Sequence, residues 1–69
     1  MKKYILTAII NGKEFNETES TREKANRKMY NLIDQYNLQV EDTFEKENGH
    51  WKEYVCNNYN RFIVARHIA

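Results

Sequence analysis

The sequence predicts an α+β domain of ββαβββ order: a single five-stranded antiparallel sheet with one helix packed on one face. Three observations predict it. Residues 4–10 and 62–68, at opposite ends of the chain, are apolar on both alternating faces, as strands in the middle of a sheet are. Residues 21–36 form the one stretch of helix length with apolar residues at helical spacing. Two Asn-Gly pairs, Asn11-Gly12 and Asn48-Gly49, mark tight hairpin turns, because both residue types tolerate the positive φ of a type I′ turn.

The elements follow in order. A two-residue turn at Asn11-Gly12 joins a strand ending at Ile10 to one starting at Lys13, and puts Ala8 opposite Phe15 and Ile10 opposite Lys13. Ser20 and Glu23 have capping-box spacing, so the hydroxyl accepts from an early helix N–H while the carboxylate reaches back. Ala25, Met29, Leu32, Ile33 and Tyr36 then form one buried stripe, and Asn37 is a left-handed stop.

Beyond the helix, Leu38, Val40 and Phe44 alternate with Gln39, Glu41, Thr43 and Glu45, the pattern of a half-buried strand. The Asn48-Gly49 turn pairs Glu45 with Lys52 on the outer face and gathers Phe44, Trp51 and Val55 on one face. A longer turn through residues 57–60 leads to the last strand and sets Phe62 opposite Val55. The predicted core face is therefore Val40, Phe44, Trp51, Val55, Phe62 and Val64. Placing the two most apolar strands at the centre gives the order 2-1-5-4-3. The charged strands, 13–19 and 38–47, become the edges, where charge discourages pairing with other chains.

Length and composition bound the function. Sixty-nine residues make one domain, 1–69, near the size at which a lone core supplies only ~3–5 kcal/mol. An apolar fraction of 41% with 30% charged residues is that of a folded chain. The net charge of +1 selects no partner by bulk attraction. Cys56 is the one cysteine, which leaves no intramolecular disulfide and no zinc pattern and suits a reducing, cytoplasmic setting. The start Met1-Lys2-Lys3 before an apolar run mimics a signal peptide. That run is short, contains Thr7 and has no small-residue cleavage site after it. No stretch approaches the ~20 apolar residues of a membrane span.

Two surfaces are candidates for function. One helix covers one face of a sheet, so the second apolar set, Ile5, Ile9, Tyr54, Cys56, Ile63 and Ala65, is expected to form an exposed patch of interface size. A protein partner is expected there, most simply a second copy in a homodimer, since two-fold assemblies are the commonest. The other surface is the helix arc of Lys24, Arg27, Lys28, Asn31 and Gln35. Cations near a helix N-terminus oppose the macrodipole, which is explained if the arc meets an anion such as nucleic-acid phosphate or an acidic protein surface; a solvated face partly neutralised by Glu17 and Glu19 is the more ordinary explanation.

The turn at Asn57-Asn58-Tyr59-Asn60-Arg61 offers Tyr59 and Arg61 as contacts for a single-stranded base, or is simply a polar hairpin turn. Catalysis has weaker support. His50 and His67 with Glu47 do not make a zinc pattern, Cys56 has no orienting group, and the glutamates fall on edge strands. The sequence therefore points to a non-enzymatic protein-binding module without cofactor or metal, with nucleic-acid binding as the alternative. The Lys-, Asn-, Glu-, Ile- and Tyr-rich, proline-free composition resembles that of small proteins from AT-rich bacterial genomes and their phages, and by analogy suits a phage or mobile-element accessory protein that binds a host component.

Overall fold

The chain runs through β1 (Lys2–Ile10), β2 (Lys13–Glu19), α1 (Arg22–Gln35), β3 (Val40–Lys46), β4 (Trp51–Cys56) and β5 (Arg61–Ile68). The computed structural model describes residues 2–68, with side chains for residues 3–67; Met1 of the signal-like start lies outside them. The strands form one antiparallel sheet in the order β2-β1-β5-β4-β3. The helix packs on one face, against β1, β2 and β5. This is the predicted architecture, with the acidic strands at its edges.

Local chemistry explains the turns. Asn11 and Gly12 adopt φ of 53° and 80°, and the hairpin they close sets Ala8 opposite Phe15 and Ile10 opposite Lys13. Asn48 and Gly49, at 56° and 85°, close the β3–β4 hairpin with Glu45 opposite Lys52. The helix begins one residue later than the capping-box spacing implies. Thr21 is the cap, its hydroxyl accepting from the Lys24 N–H at 3.2 Å, so Glu23 falls one position short of a reciprocal contact. At the other end Asn37 turns left-handed (φ 54°). The Asn37 N–H donates to Asp34 O at 3.2 Å and the Leu38 N–H to Ile33 O at 2.8 Å. That pair of bonds satisfies the last helical carbonyls and swings Leu38 against the core.

The β4–β5 hairpin departs from the predicted register. A two-residue turn at Asn58-Tyr59 would set Val55 opposite Phe62, but Val55 faces Arg61 and Tyr54 faces Phe62. The cause is Asn57. Its N–H donates to Gln39 O at 3.1 Å, and its Oδ1 accepts from the Gln39 N–H at 3.0 Å. Drawn aside by this two-point pairing, Asn57 drops out of the ladder, and Cys56 N–H bonds to Asn60 O at 2.8 Å instead. A slip of one residue turns every side chain of a strand to the opposite face.

The core therefore differs from the predicted one on β3 and β4. Leu6, Ala8, Ile10, Tyr54, Cys56, Phe62 and Val64 lie beneath the helix with Ala25 and Met29. Phe62 and Val64 are where the alternation put them. Trp51, Val55 and Phe44 are on the other face, while a register shift between Val40 and Asp42 keeps Val40, opposite Cys56, at the margin of the covered side. The Glu45–Lys52 pair forms as predicted but on the helix side, since Lys52 is opposite the buried Val64.

Candidate interface on the open sheet face

The face away from the helix is built by alternation. From β1 it takes Ile5, Thr7 and Ile9; from β5, Arg61, Ile63 and Ala65; from β4, Trp51, Glu53 and Val55. Edge strand β3 adds Phe44 opposite Glu53. Ile5, Ile9, Ile63, Ala65, Trp51 and Val55 are half-buried, shielded only by one another, and Phe44 is 50% exposed. Four of the six predicted patch residues, Ile5, Ile9, Ile63 and Ala65, lie here. Tyr54 and Cys56 do not: they are 7% and 2% exposed in the helix-side core. Trp51, Val55 and Phe44 replace them, as the shifted β4–β5 register around the Asn57–Gln39 pairing requires.

Polar groups on this face are largely engaged. Arg61 Nη1 pairs with Glu53 Oε2 at 3.2 Å. The Thr7 hydroxyl donates to Asn16 Oδ1 at 2.9 Å, and Asn16 Nδ2 to Glu14 Oε2 at 3.1 Å. The Lys46 ammonium lies 4.7 Å from the centre of the Trp51 ring, which shades part of that ring without removing it from the surface.

The helix arc is only partly a cationic surface. Lys24, Arg27, Lys28, Asn31 and Gln35 are all exposed. Lys28, however, pairs with Glu17 and, at 2.6 Å, with Glu19. Hydrogen bonds to the Glu17 and Glu19 carboxylates push its pKa up to about 12, so its charge is matched within the chain. Glu23 and Arg27 make no ion pair among the described residues. Lys24 and Arg27 are what remains of the anion-binding arc.

The Asn-rich turn is also accounted for by the fold. Asn60 is buried; its Oδ1 accepts from the Asn11 N–H at 2.8 Å and its Nδ2 donates to Asn57 O at 3.0 Å. It fastens the β4–β5 turn to the β1–β2 turn, while Asn57 holds Gln39. Arg61 is taken by Glu53 on the open face. Tyr59 alone projects, 99% exposed at φ 63°. Of the two predicted loop contacts, Tyr59 is therefore solvent-facing and Arg61 is ion-paired.

Chemical groups elsewhere are sparse. Burial, and to a lesser degree Glu41, pushes the Cys56 thiol up from its ordinary value of 9.0, so it is a neutral core group at physiological pH. Arg22 Nη2 lies 3.1 Å from His50 Nδ1, and the Arg22 guanidinium lies over the Tyr4 ring. Among the described residues no group of three or more His, Cys, Asp or Glu could hold a metal ion, and no helix is long and apolar enough to cross a membrane. A cleft between α1 and the β1–β2 hairpin, lined by Leu6, Phe15, Leu32 and Tyr36, holds about 110 Å³, and a polar, open depression beside the β3–β4 turn, lined by Glu47, Asn48, His50 and Arg66, holds about 530 Å³. No protein-family model, curated protein sequence or solved structure matches the chain.

Proposed function

We propose that this chain is a non-enzymatic protein-interaction module whose working surface is the open face of its sheet. One observation carries the reading: seven apolar side chains, from Ile5 on β1 to Phe44 on β3, share a face that no element covers among the described residues. Contiguous apolar surface costs solubility, and where a fold keeps it, a partner commonly occupies it. Trp51 and Phe44 supply the large rings on which interfaces concentrate their binding energy. The alternative of phosphate binding through the helix is supported less well. Counterion release scales with the number of cations engaged, and Lys28 is already matched by Glu17 and Glu19. A reducing, cytoplasmic setting suits the lone buried Cys56. The proline-free, Lys- and Asn-rich composition is the ground for an accessory role in a phage or mobile element, acting on a host component.

The test compares two baits in extract of the native host. Wild type should retain a protein partner that an Ile63→Glu bait releases, because an unpaired carboxylate cannot enter an apolar contact cheaply. Equal recovery by both baits removes the open face from the function.

A further inference from the structure

We infer that the open face is closed by a second copy of this chain, about a two-fold axis running in the plane of contact and across the strands. The inference rests on the interface reading above and adds the occupant and its orientation. Ladder registers fix the positions of the charges. One end row of the face reads Thr18, Ile5, Ala65, Trp51 and Lys46 from β2 to β3. The other end row reads Glu14, Ile9, Arg61, Val55 and Asp42. Lys3 lies beyond the first row, opposite His67. One end of the face is therefore basic, through Lys46 and Lys3. The other carries both outer carboxylates, Glu14 and Asp42.

Two sheets stacked with nearly aligned strands can be related by a two-fold axis along the strands or across them. An axis along the strands keeps like ends together. Asp42 then meets the second copy's Glu14, and Arg61 meets its own counterpart. An axis across the strands turns one copy end for end. Each Lys46 then faces the second copy's Asp42, Trp51 faces Val55, and Ile5 faces Ile9. Ile63, in the middle row, meets itself. The two Glu53 carboxylates also approach there, but each already holds its own Arg61 at 3.2 Å. Charge complementarity selects the second arrangement.

The size of the face sets the expected strength. Five strands ~4.8 Å apart and about five residues at ~3.4 Å rise cover roughly 400 Å² per copy. A standard interface buries about 800 Å² a side, so the dimer belongs with the small, reversible assemblies. The helix-side core keeps the released monomer folded.

Sedimentation equilibrium on the full chain decides it, with circular dichroism to verify that each variant is folded. Wild type should show a monomer–dimer equilibrium. Asp42→Lys and Lys46→Asp should each weaken it roughly tenfold, because two symmetric attractions become repulsions. The double variant should return to within about threefold of wild type, since the swap restores both contacts. A double variant no tighter than the single ones overturns the orientation; if Ile63→Glu still yields a folded monomer, the interface reading survives. A wild type that stays monomeric at high micromolar concentration overturns the second copy as occupant, and the bait comparison then decides the interface by itself.

Discussion

The two faces of the sheet are built from much the same residues but end in different surroundings. On β1, Leu6, Ala8 and Ile10 point to the helix and are 1–3% exposed. Their alternates Ile5, Thr7 and Ile9 point the other way and stay half-buried. On β4 the contrast is sharper, because the larger ring, Trp51, is on the uncovered side while Tyr54 and Cys56 lie in the core. Composition therefore does not decide which face becomes the interior. The single helix does, and it is directed by a short β2–α1 connection and by the Ala25–Met29 stripe. What remains uncovered is nearly as apolar as what is covered, and that equality is why the open face reads as an interface.

The largest test of this contrast exchanges bulk for alanine on each side. Phe62→Ala removes a fully buried ring and should cost about 3–5 kcal/mol, enough to unfold a domain whose whole margin is of that order. Trp51→Ala should cost the monomer less, about 1–3 kcal/mol, since its half-buried ring keeps part of its surface in water in the absence of a partner. Urea unfolding at a concentration too low for association compares them. If Trp51→Ala is as damaging as Phe62→Ala, the two faces have been interchanged.

A smaller effect follows from Cys56, which the alternation placed on the open face and the structure places in the core. Its folded pKa lies above the unfolded value of 9.0. Above that value the unfolded chain loses the proton and the folded chain keeps it, so stability should fall as pH rises past 9.0. Cys56→Ala should remove that part of the decline. Aromatic disulfide reagents should react with the native thiol only as fast as the chain opens. Reaction at the rate of a free thiol would return Cys56 to the open face.

Most of the fold was legible because its signals are local. The Asn11-Gly12 and Asn48-Gly49 turns, the helical stripe and the Asn37 stop each depend on neighbouring residues, and each hairpin they specify forms in the predicted register. The last hairpin was not legible. Asn57 is removed from its ladder by Gln39, eighteen positions earlier, and no local pattern carries that contact. From this one slip came the misplacing of Trp51, Val55 and Phe44 and, with it, of Tyr54 and Cys56 in the patch. The helix cap failed for a subtler reason, since Ser20 and Thr21 are adjacent and chemically equivalent. Lys28 was legible in both its readings, and only its geometry chose between them.

The smallest effect separates two lysines of the helix that the sequence treats alike. Lys24 is the third helical residue after the Thr21 cap, so its ammonium faces the positive end of the macrodipole and no described carboxylate answers it. Lys24→Glu would create the Thr-x-x-Glu spacing of a capping box and reverse an unfavourable charge, worth about 0.3–1 kcal/mol. Lys28→Glu would instead set a third carboxylate beside Glu17 and Glu19 and lower stability. Thermal unfolding at low ionic strength should thus move in opposite directions for the two variants, and added salt should shrink both shifts. Dimerisation should be unchanged in Lys24→Glu, because that side chain is across the sheet from the open face. A Lys24→Glu chain that loses its partner while gaining stability would give the helix arc a binding role and reduce the open face to solvent-exposed surface.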